Sequence, residues 1–366
     1  MKIAWKIITI VFVMSPSFTV CPAHADDWES GPAFSISGYA EAYYSLDLDS
    51  PAGDKKAPLI YSYHKNNEAA INLAFVKGTY SAGRVRANLA LAGGSYMNTN
   101  YASEPGILNN LYEGNIGLKL SDAHNLWLDA GVFPSHLGFE SATGKDNWTL
   151  SRSLTAENSP YYETGAKINY TSQEGTWFLS ALILNGWQRI QRAEGNSSPS
   201  FGTQITYKPS PRITLNSSLF IGNDKPDPVR KNRIFHDFYG IFKFNETISA
   251  IVGLDIGAEQ KFNHASSMHS WYNSTVILKY QSSAKSAIAV RVEYFADQNG
   301  VIIKTGTPGS LPTWGFSANY DYHISDNLLW RLEARTLNSR DNIFTDPNRR
   351  MADHDTFVTT AFAASF

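Results

Sequence analysis

The chain has 366 residues, 31 Lys and Arg against 33 Asp and Glu, and an aromatic content of 13%. This balance of charge excludes a nucleic-acid-binding protein, which requires a basic face. The single cysteine, Cys21, excludes an internal disulfide and a thiolate metal site, and no apolar run is long enough to predict a transmembrane helix.

The first 25 residues have the pattern of a secretory signal peptide. Lys2 and Lys6 flank the start of a short apolar run over 7–14, and Ala23-His24-Ala25 places small residues where signal peptidase reads them. We therefore predict a signal peptide over 1–25 and one domain over 26–366. An uncleaved anchor is the alternative, and a lipoprotein is disfavoured because no small residue directly precedes Cys21.

The rest of the chain alternates apolar and polar residues in segments that end at turn residues, a pattern that predicts β-strands. We expect sixteen strands, over 34–46, 67–80, 83–93, 111–120, 125–133, 160–172, 176–188, 200–210, 211–222, 233–246, 247–258, 269–281, 285–296, 312–324, 327–340 and 354–366.

Short and long connections alternate strictly between these segments, with seven short turns and eight longer polar loops. This organisation predicts an all-β fold, a transmembrane antiparallel β-barrel of sixteen strands with a porin-like architecture. Sixteen strands enclose an interior too wide for side chains to fill, so the apolar faces should point outward to lipid. Trp314 and Tyr322 lie near opposite ends of one such face, as in the aromatic girdles of membrane barrels.

The last segment alternates apolar residues back from an aromatic end, through Phe366, Phe362 and Val358. An alternating strand that ends on an aromatic residue is similar to the signal recognised by the outer-membrane barrel-assembly machinery. We therefore expect that machinery and outer-membrane lipid to be partners of the chain.

Several stretches in about the first half of the exported chain carry a recognisable pattern. They are ISGYAEAYYS at 36–45, NE at 67–68, RVRANLAL at 84–91, GVFP at 131–134, LGFE at 137–140, NW at 147–148, SRS at 151–153 and YYETG at 161–165. Together they resemble the OmpL-like family of β-barrel porins, although position 163 is Glu where many relatives would carry His. The resemblance implies a channel in the outer membrane of a Gram-negative bacterium, for small hydrophilic solutes or ions, and it brings no catalytic residue with it.

The third long connection, 134–159, is also the longest. Because the third outer loop of general porins folds into the lumen, we expect this loop to constrict the pore. A surface lid or an adhesive loop is the alternative. Its candidate constriction residues, expected to meet passing solutes, are Glu140, Lys145, Asp146, Trp148, Arg152 and Glu157.

The ionisable residues on the predicted inner faces have mixed signs, so either slight ion selectivity or structural ladders of cross-strand charge pairs would explain them. We expect no cofactor, and no metal, because no histidine pair has metal-ligand spacing. The candidate pore-lining residues are Glu41, Arg84, Arg86, Glu113, Lys119, Asp129, Arg291, Glu293, Arg331, Glu333 and Arg335.

Two other functional classes remain open at this point. A non-porous receptor or adhesin barrel would share the strand pattern, and a barrel hydrolase would need a Ser or Asp beside a His on the outer rim. No motif marks such a catalytic set, so we expect no enzyme. A homotrimer is expected only by analogy with general porins.

Overall fold

The computed structural model describes residues 32–49, 59–263, 266–307, 311–346, 348 and 350–366. The predicted signal peptide over 1–25 lies outside the described residues. The sixteen barrel strands are β1 Ala33–Asp47, β2 Ala69–Ala82, β3 Val85–Gly93, β4 Leu111–Lys119, β5 Asn125–Pro134, β6 Tyr162–Thr171, β7 Trp177–Leu184, β8 Ser200–Ser210, β9 Ile213–Gly222, β10 Arg233–Lys243, β11 Ile248–Gln260, β12 Met268–Gln281, β13 Ser286–Asp297, β14 Leu311–Ser325, β15 Leu328–Ser339 and β18 His354–Ser365.

These strands form one closed antiparallel barrel in which each strand pairs with its neighbours in the chain. β1 closes the ring by pairing with β18, in a register that sets Tyr39 opposite Ser365. The two-residue strands β16 (Phe344–Thr345) and β17 (Met351–Ala352) form a separate hairpin in the last long loop. The expected sixteen-stranded transmembrane-type barrel is therefore confirmed.

The predicted strand edges are correct to within a few residues. The largest difference is at β7, which ends at Leu184 instead of 188. The chain turns there because Gly186 adopts a φ of 149°, which a glycine tolerates and a strand residue does not.

The two faces of the strands divide as the alternation predicts. On β13, Val290 and Val292 point outward and are 44% and 43% exposed, whereas Arg291 and Glu293 point inward and are 1% exposed. The outer surface also carries the expected aromatic residues, with the rings of Tyr294 and Trp314 in contact at 4.7 Å between centroids. An apolar exterior and a polar interior are the pattern of a barrel in lipid.

Short helices occur only in the connections of the described chain. They are α1 Ser95–Asn100 and α2 Leu154–Glu157, with 3₁₀ turns η1 Gly106–Asn110, η2 Gly144–Asp146 and η3 Asp227–Val229. None of the helices among the described residues has the length and apolarity to cross a membrane.

The apolar core lies inside the barrel, towards the end that carries the long loops. There α1 contributes Tyr96 and Met97, which pack in one cluster with Tyr39 of β1 and with Tyr161 and Tyr162 before and at the start of β6. Loop residues therefore fill part of the barrel interior.

Candidate functional site

The connection between β5 and β6, residues 135–161, folds into the barrel and is here named the inner loop. It contains η2 and α2, and it makes hydrogen bonds to inward-facing side chains of β9, β12, β13, β14 and β15. Every residue from Ser151 to Pro160 is buried. The loop thus takes the inward position that the sequence analysis preferred over a surface lid.

The inner loop begins at a buried histidine that joins two walls of the barrel. His136 Nδ1 lies 2.8 Å from Glu163 Oε2 on β6, and its Nε2 lies 2.9 Å from the carbonyl oxygen of Leu219 on β9. Because both partners are acceptors, the ring must donate from both nitrogens, as an imidazolium does. Burial alone would lower the pKa of His136, but the Glu163 carboxylate and the Leu219 carbonyl outweigh it and raise that pKa.

The far side of the loop rests on three arginines of β13 and β15. Arg291 donates to Glu333 at 3.1 Å, Arg335 to Glu293 at 2.6 Å, and Arg331 to Asp321 at 2.8 Å. All three guanidinium groups are fully enclosed. These are the cross-strand charge pairs that the sequence analysis left open as an alternative to a selectivity device.

The same arginines also bind the backbone of the inner loop. Arg331 donates to the carbonyl oxygens of Gly144 at 2.6 Å and Asn147 at 2.9 Å. Arg335 donates to the Arg152 carbonyl oxygen at 2.9 Å. Since a hydrogen bond from a charged donor is about twice as strong as a neutral one, these contacts fasten the loop to the wall.

Arg152 and Glu157 were expected to meet passing solutes, and the structure corrects this. Arg152 has no exposed surface, because it donates to Tyr63 Oη at 2.7 Å and to the carbonyl oxygens of Leu150 and Ala142. Glu157 accepts the backbone N–H groups of Tyr61 and Ser62, each at 3.1 Å. Burial raises the pKa of Glu157 to about 6. Both side chains hold loops together.

Glu140, another of the candidate constriction residues, makes its hydrogen bonds within the inner loop. Its Oε2 accepts the Ser153 N–H at 2.9 Å and the Ser153 hydroxyl. Burial raises the pKa of this carboxyl group above its ordinary value. The hydrogen bonds tie the start of the loop to the first turn of α2.

The remaining three candidate constriction residues retain exposed surface. Lys145 and Asp146 lie on η2, pair with each other at 2.9 Å and have side chains 38% and 29% exposed. Trp148 is partly buried, with the ammonium group of Lys279 5.7 Å from its ring centre. The most exposed part of the inner loop among these candidates is therefore its tip at η2.

A polar cavity of about 390 Å³ lies on the side of the lumen formed by β2 to β6. Its carboxylates are paired: Arg86 binds both oxygens of Asp129, at 2.8 and 2.6 Å, and Lys77 binds Glu113 at 2.6 Å. Lys167 places its ammonium group 4.2 Å from the ring centre of Phe133. The cavity is lined by Thr79, Tyr80, Ser81, Arg86, Asn88, Glu113, Asn115, Asp129, Phe133, Pro134 and Lys167.

Nine of the eleven candidate pore-lining residues fall into two groups, and Arg84 and Lys119, the last residue of β4, belong to neither. Arg86, Glu113 and Asp129 line the cavity. Arg84 lies in the β2–β3 turn instead of on a strand, where it donates to the Lys119 carbonyl oxygen at 3.0 Å. The other group is enclosed beneath the inner loop and does not line open space. Glu41 accepts from the Asn72 amide at 3.0 Å, and the others bind oppositely charged side chains or the inner loop. The members of this group are Glu41, Arg291, Glu293, Arg331, Glu333 and Arg335.

Lys77, which neutralises Glu113, was not among the residues predicted from the sequence. Its position was recoverable, because Phe75, Lys77 and Thr79 alternate along β2 on the face opposite Val76. Asp47, Asp49 and Asp355 also come together at the long-loop rim without a signal in the sequence, with one carboxylate oxygen of each within 4.8 Å of the others. Two of these carboxylates accept backbone N–H groups, from Asp49 and from Thr356.

Comparison with solved structures shows a porin-like fold at low sequence identity. The anion-selective porin from Comamonas acidovorans has a TM-score of 0.61 and 10% identity, with 92% of this chain and 100% of that chain covered. OmpF of Salmonella typhi, solved with daunomycin, has a TM-score of 0.59 and 11% identity, with 92% and 98% covered. The outer membrane channel DcaP of Acinetobacter baumannii has a TM-score of 0.58 and 10% identity, with the same coverage.

The search of curated proteins found no match. A profile of one family, described as "Putative beta-barrel porin-2, OmpL-like", matches residues 33–366. This match spans all sixteen strands of the barrel, including the second half of the chain, which resembled the family only in pattern. The chain therefore belongs to the OmpL-like family of β-barrel porins.

Proposed function

We propose that this protein is an outer-membrane porin that lets small hydrophilic solutes and ions diffuse through a water-filled channel. The proposal rests on the position of the inner loop inside the barrel. The loop is fastened to the β13–β15 wall, and the polar cavity lies along the opposite wall, from β2 to β6. An eccentric passage beside a docked loop is a geometry suited to sieving by size.

The cavity supports weak selectivity between ions. Its lining has Arg86 and Lys167 against Glu113 and Asp129, and the adjacent Lys77 pairs with Glu113, so the excess is a single positive charge at Lys167. Two of the four are locked in one bidentate ion pair, which leaves little net field along the path. Salt at physiological strength screens what remains over about 8 Å.

The expected cellular setting follows from the same proposal. The exposed apolar surface of the strands fits outer-membrane lipid, and the segment 1–25 would direct export and be removed. A trimer is part of the proposal because OmpT of Vibrio cholerae, a structural neighbour, has a form described as a trimer. The strand that ends at Phe366 would engage the barrel-assembly machinery.

Single-channel recording in planar bilayers tests the proposal. The purified protein should give stable, ohmic channels, and shortening the inner loop between Gly138 and Ser153 should raise their conductance because the loop narrows the lumen. The matched control removes Asp227–Val229, an exposed 3₁₀ turn of another long loop, and should leave conductance unchanged.

Two results would contradict the proposal in different ways. Bilayers that stay silent with correctly folded protein would remove the channel and favour a receptor or adhesin. If channels form but the inner-loop deletion leaves their conductance unchanged, the protein is still a porin and the inner loop does not constrict its pore.

A further inference from the structure

A row of three polar side chains crosses the inner wall at β10, β11 and β12. Asp237 lies directly opposite Asp255, and Asp255 lies directly opposite Asn273. All three point into the barrel and are 1% exposed. Side chains directly opposite each other on antiparallel strands have Cβ atoms about 5 Å apart, so Asp255 lies beside both other residues. Asp237 and Asn273 lie on either side of it, about two strand spacings, roughly 10 Å, apart at the backbone.

Most of the polar atoms in this row have no well-formed hydrogen bond within the described chain. Asn216 donates to Asp237 Oδ2 at 3.1 Å. Asp237 Oδ1, both oxygens of Asp255, and both the oxygen and the nitrogen of the Asn273 amide have no hydrogen bond of standard geometry. The Gly138 N–H lies close to the Asp237 carboxylate, and the Asn273 amide lies close to the Asp255 carboxylate. Asn273 is therefore a buried amide without a well-formed hydrogen bond, next to Asp255.

No lysine or arginine forms an ion pair with either carboxylate among the residues that the structure describes. His136, the cationic group at the start of the inner loop, is held between Glu163 and Leu219. Two like charges facing each other in a buried place are strongly unfavourable unless something neutralises them. With both carboxylates ionised, the row would carry two negative charges, of which only Asp237 lies within the electrostatic influence of His136, and it has an excess of oxygen acceptors.

We propose that Asp237, Asp255 and Asn273 bind a hard divalent cation, of which Ca²⁺ fits best. Carboxylate and amide oxygens are the ligands that Ca²⁺ prefers, and its irregular coordination suits side chains fixed on a rigid wall. Mg²⁺ fits less well, because it demands a near-octahedral shell and gives up its waters reluctantly. The four oxygens without a well-formed hydrogen bond are fewer than the roughly six to eight that Ca²⁺ takes, so water completes the shell.

The site lies beneath the start of the inner loop. Ser218, opposite Asp237 on β9, donates to the carbonyl oxygen of His136 at 2.8 Å. Phe139 packs against Gly253, two residues before Asp255 on the same face of β11. A bound ion would cross-link three strands under this part of the loop and stiffen its foundation.

Terbium luminescence tests the site, because Tb³⁺ replaces Ca²⁺ and emits when a nearby tryptophan is excited. Trp271 is buried, on the same face of β12 as Asn273 and two residues away, about 7 Å along the strand. The full-length protein, refolded in detergent without divalent ions, should show sensitised emission that Ca²⁺ competes away. W271F should lose most of this emission and keep Ca²⁺ binding by calorimetry.

D255N and, separately, D237N should weaken Tb³⁺ binding by about tenfold or more, since affinity at such sites follows the number of charged ligands. The control E246Q removes a carboxylate that is 95% exposed in a turn and should bind as the wild type does. A folded barrel migrates faster on a detergent gel than the heat-unfolded chain. The temperature at which the wild-type protein loses this fast-migrating form should be higher in Ca²⁺ than in EDTA, and in D255N the two temperatures should be equal.

Wild-type protein that shows neither sensitised emission nor a Ca²⁺-dependent unfolding temperature would overturn the proposal, and would leave a proton shared between the two carboxylates as the means of neutralisation. Equal Ca²⁺ responses in the wild type, D255N and D237N would also overturn it, because the ion would then bind elsewhere. The test does not depend on channel activity.

Discussion

Replacing Arg331 by Met should release the tip of the inner loop. Arg331 is fully buried on β15, and its guanidinium group donates to the carbonyl oxygens of Gly144 and Asn147, on either side of the exposed Lys145 and Asp146. A hydrogen bond from a charged donor contributes about 1.5–3 kcal/mol. Loss of two such bonds should weaken docking of the tip by at least about 3 kcal/mol, roughly a hundredfold change in the docking equilibrium.

The same substitution also leaves the buried carboxylate of Asp321 without its cationic partner, because Asp321 accepts two hydrogen bonds from Arg331, at 2.8 and 2.9 Å. Breaking a buried ion pair by removing one partner costs about 3–5 kcal/mol, so R331M should lower the heat stability of the barrel as well. The double variant R331M/D321N removes the stranded charge but not the loop contacts. It should recover much of the stability while the loop stays loose.

Single-channel recording separates the two effects. R331M and R331M/D321N should both show a larger open conductance and more frequent transitions than the wild type, because the loop tip moves in both. If both variants fold and yet conduct as steadily as the wild type, Arg331 does not hold the loop tip. If only R331M differs, the cause is the unpaired charge of Asp321 and not the released loop.

Three further predictions concern other contacts of the site. Burial raises the pKa of Glu157 from 4.5 to about 6. The stabilisation that comes from its bound proton is therefore full below about pH 4.5 and is lost as the pH rises through about 6. E157Q should flatten this pH dependence of the thermal unfolding temperature. K167E should shift the reversal potential of the channel towards cations, because it replaces a lining cation by an anion. G253V should raise conductance and channel noise, as a Cβ at Gly253 would lie 2.6 Å from the ring of Phe139 and force the loop outward; an equal conductance would place the loop's hold elsewhere.

The barrel could be predicted from the sequence because each strand separates two solvents. Lipid outside and polar groups inside impose a strict period of two. The face of each residue can therefore be predicted without knowing its partners, as for Val290, Arg291, Val292 and Glu293 of β13. Strand ends were predicted almost as well, since the turns use glycine and polar residues. Gly186 was misjudged because nothing local distinguishes a glycine in a strand from one that turns the chain.

The candidate site was predictable only in outline. The length and order of the inner loop indicated that it enters the lumen, but its anchors are backbone carbonyls, which leave no trace in side-chain identity. Arg331 and the Gly144 carbonyl it binds are 187 residues apart. A charged residue in a polar loop, such as Arg152, is normally expected in solvent, and its burial follows from contacts with Tyr63 and its own loop backbone.

The seam between β1 and β18 determines how this barrel can fold. Residues 314 positions apart meet there, as in the 2.6 Å hydrogen bond between the hydroxyl groups of Ser45 and Thr359. Bringing such distant segments together costs chain entropy that no local contact offsets, and topologies of this kind fold slowly. The inner loop needs β13 to β15 in place before it can dock, so its interior contacts and the seam should form late and together. Up to that point the growing sheet exposes two unpaired edges, and the period before ring closure is when the chain is most vulnerable to aggregation.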